Sequence, residues 1–306
     1  MTNTATAAPG TARRKGLSLD KRQSLAGWGF LTPACILILV MSFLPILRAL
    51  ILSFETGIGA KMTFTGITNY ARLFKDKIFL QSLFNTFFYL VVQVPVMLIL
   101  ALVFASMLNN DKLRFKGLFR TCIFLPCATS LVSYAVIFRS LFATDGFVNQ
   151  VLIGLGLEKT GFNFLTDTWG ARWVIVIALI WRWTGYNMVF YLAALQNIDY
   201  SVYEAAKIDG ASAAQCFWRI TVPLLRPTIL LTAIMSTNGT LQLFDESVNL
   251  TKGGPANMSI TMSHYIYKLS FEGVPNFGYA SALSFIILIL VAVLAFVQMK
   301  VGDKRD

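Results

Sequence analysis

Six stretches of the chain stay apolar for about the twenty residues that a helix needs to cross the hydrocarbon of a bilayer. They lie near 27–54, 85–108, 118–142, 173–195, 224–244 and 278–300. Between them come polar or mixed segments: a leader (1–24), an outer segment (55–84), a short basic turn (109–117) and a second outer segment (143–172). An inner loop (196–223), a third outer segment (245–277) and a tail (301–306) complete the chain. The pattern predicts an all-α membrane protein with six transmembrane helices. Residues 25–300 form one membrane domain, flanked by the leader and the tail.

Several predicted spans carry helix interrupters: Pro45 in the first, Pro95 in the second, Pro126 in the third, Gly185 in the fourth and Asn238-Gly239 in the fifth. Membrane helices tolerate Pro and Gly where neighbours re-satisfy the freed backbone groups. The fourth and fifth spans also concentrate polar side chains, in Trp181-Arg182-Trp183-Thr184-Gly185-Tyr186-Asn187 and Ser236-Thr237-Asn238-Gly239-Thr240-Leu241-Gln242. Two readings stand side by side. Hydroxyls and amides bridge packed membrane helices; they also line polar cavities, where indole faces and hydrogen-bonding groups suit a hydroxyl-rich neutral ligand. Arg182 favours the cavity, because a guanidinium at that depth has to snorkel or face a wet cleft.

Composition agrees with a membrane protein. Of 306 residues 56% are hydrophobic and 13% charged, against about 25% charged in a soluble domain, and the mean hydropathy is +0.64. The net charge of +11 does not point to nucleic acid, because the basic residues gather beside the ends of spans. With the N-terminus inside, fifteen Lys and Arg fall in inner segments and eight in the longer outer ones. That excess places both termini in the cytoplasm. The basic leader resembles a signal peptide, but the run that follows is too long for one, so an uncleaved first span is expected. Cys35, Cys122, Cys127 and Cys216 show no metal-ligand spacing and are expected as buried small hydrophobes.

Catalytic chemistry is sparse. No Gly-Lys pair occurs, so no phosphate-cradling G-x-x-x-x-G-K-[ST] loop exists. The single histidine, His264, lies in an outer segment beside Tyr265 and Tyr267, where a structural role is expected. Asp245 and Glu246 are placed at the outer interface, and no convincing carboxylate lies mid-span as a proton carrier would need. No metal site and no cofactor are expected in this chain.

The most informative segment is the inner loop 199–223. Glu204-Ala205-Ala206 is followed four positions on by Gly210, then by Ile220 and Pro223. Two short helices joined at Gly210 follow, since glycine readily adopts the conformation that ends a helix. Ala205, Ala206 and Ala211 keep the surface thin, and Glu204 offers a charge to a partner. An amphipathic helix lying on lipid is the alternative, but Lys207 is its only central base.

This segment resembles the EAA loop of permease subunits of binding-protein-dependent ABC importers: E-A-A, three residues, G, nine residues, I-x-L-P. Val222 stands in place of the family's Leu. Asp209-Gly210-Ala211 looks like the version in the carbohydrate-uptake branch, with maltose- and lactose-type permeases. Thr251-Lys252-Gly253-Gly254-Pro255 and Phe277-Gly278-Tyr279-Ala280-Ser281-Ala282 resemble two further signatures of that branch, and the likeness covers about 25–300.

The resemblance implies a type I importer permease fold in a bacterial inner membrane. Its implied partners are a second, related permease, two copies of a cytoplasmic ATPase that binds ATP and Mg, an external sugar-binding protein and membrane lipid, with no nucleic acid. The ATPase-coupling residues implied are Glu204, Ala205, Ala206, Asp209, Gly210, Ala211, Ile220 and Pro223. The substrate-path residues implied are Trp183, Gly185 and Ser236, with Thr240 and Gln242 on the same stretch and Arg182 and Asn187 at positions that vary in the family. The expected function is uptake of a di- or oligosaccharide, neutral or acidic, with no hydrolytic activity in this chain. A self-contained secondary carrier or channel is the rival; an embedded enzyme lacks catalytic residues.

Overall fold

A computed structural model describes residues 19–58, 61–110 and 113–302. The outer part of the leader (1–18), the end of the tail (303–306) and Lys112 of the basic turn lie outside the described residues. Helix already begins within the span assigned to the leader: α1 (Leu19–Ile38) passes through a π-helical turn (Leu39–Phe43) into α2 (Leu44–Ser53). The described residues up to Ile51 form a unit by themselves, mostly apolar from Leu25 onward.

The second unit, from Leu52 onward, opens with a departure from the all-α expectation. β1 (Glu55–Ile58) and β2 (Lys61–Phe64) form an antiparallel hairpin, with Glu55 opposite Phe64 and Ile58 opposite Lys61. Then come α3 (Thr68–Leu73), α4 (Lys77–Leu108), α5 (Lys116–Ala128), α6 (Leu131–Leu141), α7 (Phe147–Gly154) and α8 (Thr168–Leu195). The inner loop holds α9 (Tyr200–Ile208), α10 (Ala213–Cys216), a π-helical turn (Phe217–Thr221) and α11 (Val222–Leu224). α12 (Arg226–Leu241), a π-helical turn (Ser247–Thr251), α13 (Met262–Phe271) and α14 (Phe277–Gly302) follow.

Among the described residues four helical stretches are long and apolar enough to span a membrane: 23–53, α4, α8 and α14. Two bent pairs raise the number to as many as six. α5 and α6 meet at 100° because the chain goes extended at Thr129 and Ser130, just after Pro126; the Thr129 hydroxyl donates to the Pro126 carbonyl (2.7 Å). The run ending in α11 and the helix α12 meet at 71° about Leu225, between Pro223 and Pro227, whose ring nitrogen has no hydrogen to carry the ladder forward.

The expected interruptions at Gly185 and at Asn238-Gly239 do not occur. α8 runs straight through the first, and α12 continues through the second to Leu241. α4 and α8 also start earlier than their apolar runs. Asp76 accepts from the Ile78 and Phe79 amides, and Asp167 from those of Trp169 and Gly170, so two N-caps, which hydropathy does not register, set those helix starts. The thiols differ too: Cys35 and Cys122 are exposed, Cys127 and Cys216 half-buried, and all four are free.

The core of the second unit centres on α4 packed along α8. Tyr89, Tyr134, Phe138, Ile175 and Leu179 form one buried cluster, and Ala101, Ala105, Met188, Tyr191 and Leu195 form another beside the loop 196–223. A third joins Leu73, Phe79, Met262, Tyr265, Tyr279 and Leu283 on α3, α4, α13 and α14. The apolar residues left exposed on α14, such as Leu288, Val293 and Phe296, fit a hydrocarbon environment.

Candidate functional site

One face of α8 carries Arg182, Trp183, Tyr186 and Asn187, spaced so that adjacent turns present them together. Opposite them α12 and the segment after it bring Ser236, Gly239, Thr240 and Gln242, while α4 contributes Gln93 and Met97. These groups enclose a cavity of about 450 Å³, which Leu131, Asp245 and Glu246 also line. Six of the seven substrate-path residues expected from sequence therefore share one chamber: Arg182, Trp183, Asn187, Ser236, Thr240 and Gln242.

Gly185 is the exception. It faces α5, where an added Cβ would stand 2.0 Å from the Ile123 carbonyl oxygen and 2.8 Å from Phe124 Cα. Its role is close backbone approach behind the cavity wall, not a place on the lining.

The hydrogen bonds separate packing from availability. The Thr240 hydroxyl donates to Gln93 Oε1 (3.1 Å), and Gln93 Nε2 to the Met97 sulfur (3.0 Å). Thr240 therefore helps tie α12 to α4, a bond type worth about 0.6 kcal/mol in membrane proteins. Asn187 Nδ2 donates to the Trp183 carbonyl (3.0 Å), and Gln242 Nε2 to Asn238 Oδ1 (2.5 Å). Arg182 differs. It is 6% exposed, its guanidinium carbon lies 5.0 Å from the Tyr134 ring centre and 5.6 Å from that of Trp183, and Nε and Nη1 have no hydrogen-bond partner.

Arg172, two to three turns earlier on α8, is the instructive contrast. It is 4% exposed, donates from Nε to Asn85 Oδ1 (2.9 Å) and the Met258 carbonyl (3.2 Å), and lies over Trp169. One buried arginine is a fastener; the other keeps donors unused beside a cavity. The sequence reading missed Gln93, Tyr186, Asp245 and Glu246 on the lining. Gln93 had a legible signal as a lone amide in an apolar span, whereas Glu246, expected at the interface, is 4% exposed.

The inner loop forms the expected pair of short helices. Asp199 caps α9 by accepting from the Ser201 amide (2.9 Å). Gly210, with φ of +79°, ends it, and the Ala211 amide reaches back to the Ala206 carbonyl (2.9 Å), the bond that closes such a terminus. Ser212 and Gln215 then build a reciprocal capping box for α10.

Tyr203 and Thr221 join the two arms through their hydroxyls (3.0 Å). Glu204, Ala205 and Pro223 are exposed and Ala206 half-buried. Asp209, Gly210, Ala211 and Ile220 border a recess of about 260 Å³ with Gln215 and Arg219, two residues that sequence reasoning had not singled out. Lys207 folds back on Tyr200, its Nζ 3.2 Å from the phenol oxygen.

Residues 64–305 match the family described as binding-protein-dependent transport system inner membrane component. The chain belongs to this family. The lactose transport system permease protein LacF of Rhizobium radiobacter is 52% identical over 94% of this chain and 97% of its own length. The trehalose/maltose transport system permease protein MalF of Thermococcus litoralis is 31% identical over 94% and 97% respectively. In fold, the chain is similar to a bacterial ABC transporter involved in import of the acidic polysaccharide alginate, with a TM-score of 0.83, 23% identity and coverage of 94% of this chain and 98% of that one. The cavity and the hairpin both fall inside the region that the family model matches.

Proposed function

We propose that this chain is a membrane-spanning subunit of an ATP-driven importer that takes up a di- or oligosaccharide, lactose being the first to test. It spans a bacterial inner membrane six times with both termini in the cytoplasm, each bent pair counting as one span. A second, related permease completes the pathway. Two copies of an ATPase hold ATP and Mg, and an extracytoplasmic binding protein delivers the sugar.

The observation that carries this reading is the hairpin 199–223. It is capped at both helix starts, closed at Gly210 and clasped by Tyr203 and Thr221, yet Glu204 and Ala205 stay exposed. A short rigid element with a thin exposed face is suited to sit in a groove of a moving partner and carry its displacement to α12. Only a stiff connection transmits a rigid-body swing between two discrete packings.

The cavity supports the sugar assignment. The indole of Trp183 and phenol of Tyr186 offer faces for a pyranose, and Ser236, Asn187 and Gln242 offer hydrogen bonds to its hydroxyls. The names of the relatives point to the same substrate class. The test is Glu204→Lys in the assembled transporter. We expect normal membrane insertion with loss of sugar uptake and of substrate-stimulated ATP hydrolysis. Full uptake by that variant would remove the hairpin from the mechanism.

A further inference from the structure

We infer that Arg182 together with Glu246 and Asp245 makes the cavity a charge filter that admits neutral saccharides and turns away anionic ones. The inference rests on the cavity's being the sugar path. It narrows the substrate class, which the sequence left open between neutral and acidic sugars.

One guanidinium, from Arg182, and two carboxyls, from Asp245 and Glu246, line the chamber beside the Tyr186 phenol. Arg182 taken alone invites a carboxylate, since a planar fork binds one through two parallel bonds. The carboxyls oppose that. An anion drawn to Arg182 would share the chamber with Asp245 and with Glu246, itself 4% exposed and its carboxyl pushed up to about 7 by burial. Above that pH Glu246 is negatively charged, and like charges in a partly desolvated space repel more strongly than in water. Discrimination by a built-in repulsion of this kind is a common route to specificity.

A neutral sugar meets no such conflict. Each hydroxyl both donates and accepts, so a sugar can lie beside Arg182, which lines the chamber, and donate to the carboxyls of Asp245 and Glu246. The ligand that satisfies all three groups carries many hydroxyls and no net charge. The two arginines of α8 differ: Arg172 Nε has two protein acceptors, whereas Arg182 Nε and Nη1 are buried with none, and Arg182 lines the chamber.

The test is equilibrium binding at about pH 8, above the value of about 7 to which burial raises the Glu246 carboxyl, to the complete permease–ATPase assembly in nanodiscs, without the external binding protein, so that its selectivity does not intervene. The probes are radiolabelled lactose and lactobionate, the same disaccharide with its reducing end oxidised to a carboxylate. We expect lactose to bind the wild-type assembly at least about tenfold more tightly than lactobionate, a gap of about 1.4 kcal/mol. In Glu246→Gln, an isosteric change that removes the charge, the ratio should fall toward one, by weaker lactose binding, stronger lactobionate binding or both. Asp245→Asn should shift the ratio in the same direction by a smaller step.

Equal affinity of the two probes for the wild type overturns the filter, whatever the variants do. An unchanged ratio in folded Glu246→Gln overturns the role of Glu246. An assembly that takes up lactose while binding neither probe in the cavity overturns the sugar-path reading and the filter with it.

Discussion

Gly185 and Ile123 approach so closely that a β-carbon on the first would lie 2.0 Å from the carbonyl oxygen of the second. The contact brings α5 against α8 at the level of Arg182 and Trp183, immediately behind the cavity. Gly185→Ala cannot be absorbed by a side-chain rotation, because the obstacle is backbone. We expect a loss on the scale of overpacked sites, about 1–3 kcal/mol, seen as a lower thermal midpoint and reduced uptake. A midpoint and uptake equal to wild type would show that the helices separate freely there.

Gly210 takes a φ of +79° with open space where a β-carbon would go, so its requirement is conformational. Replacement by valine should strain the αL turn by about 1 kcal/mol or more while leaving the membrane domain folded. The expected signature is wild-type insertion with impaired coupling: substrate-stimulated ATP hydrolysis falls more than basal hydrolysis. Equal stimulation in the variant would mean that the turn tolerates rearrangement.

Asp76 ties three elements together. It caps α4 and accepts from the hydroxyls of Tyr265 on α13 (2.6 Å) and Tyr279 on α14 (2.7 Å). Burial pushes its carboxyl upward, but those hydroxyls and the Ile78 and Phe79 amides outweigh burial and hold it below its ordinary 3.8. A depressed folded-state value means that the stabilisation is present above the unfolded value and is lost as pH falls through the folded one. Asp76→Asn should lower the thermal midpoint at pH 7 and leave little difference from wild type once acid has protonated the carboxyl. A variant as stable as wild type at neutral pH would contradict the hub.

His264 predicts a second pH dependence, in a higher window. Burial, with Lys268 nearby, holds its imidazole down at about 4 from 6.5. It lies 2.9 Å from the Ser247 hydroxyl and packs against Gly253. Below pH 6.5 the unfolded chain takes up a proton that the folded chain refuses, so stability is full above that value and declines between pH 6.5 and 4. His264→Gln should flatten that part of the stability profile. A slope that survives the change belongs to another group.

Four long apolar helices and the short helical pair of 199–223 were legible in the sequence because each leaves a local signal: a long apolar run, or a glycine at fixed distance from an E-A-A triplet. The sharing of one chamber by Arg182, Trp183 and Asn187 with Ser236, Thr240 and Gln242 was partly legible, since uncompensated polar groups in apolar spans have few places to go. What escaped depends on tertiary geometry. Gly185 looked like a helix breaker, yet its function is to let another backbone approach. Glu246 read as interfacial from its place after the apolar residues; its burial at 4% exposure depends on packing beyond the end of α12 at Leu241, which leaves no local signal. The bends at Thr129-Ser130 and Leu225 need the cooperation of prolines with extended or cap residues, which hydropathy does not register.

The central claim is that this subunit is a passive gate driven through its inner hairpin. Proteoliposomes provide the direct measurement: sugar uptake by the purified chain alone, set against uptake by the chain with its sister permease, the ATPase and the binding protein. The account predicts accumulation in the complete assembly only, dependent on internal-face ATP and abolished by Glu204→Lys. Uptake by the isolated chain, driven by an ion gradient and indifferent to ATP, would contradict it.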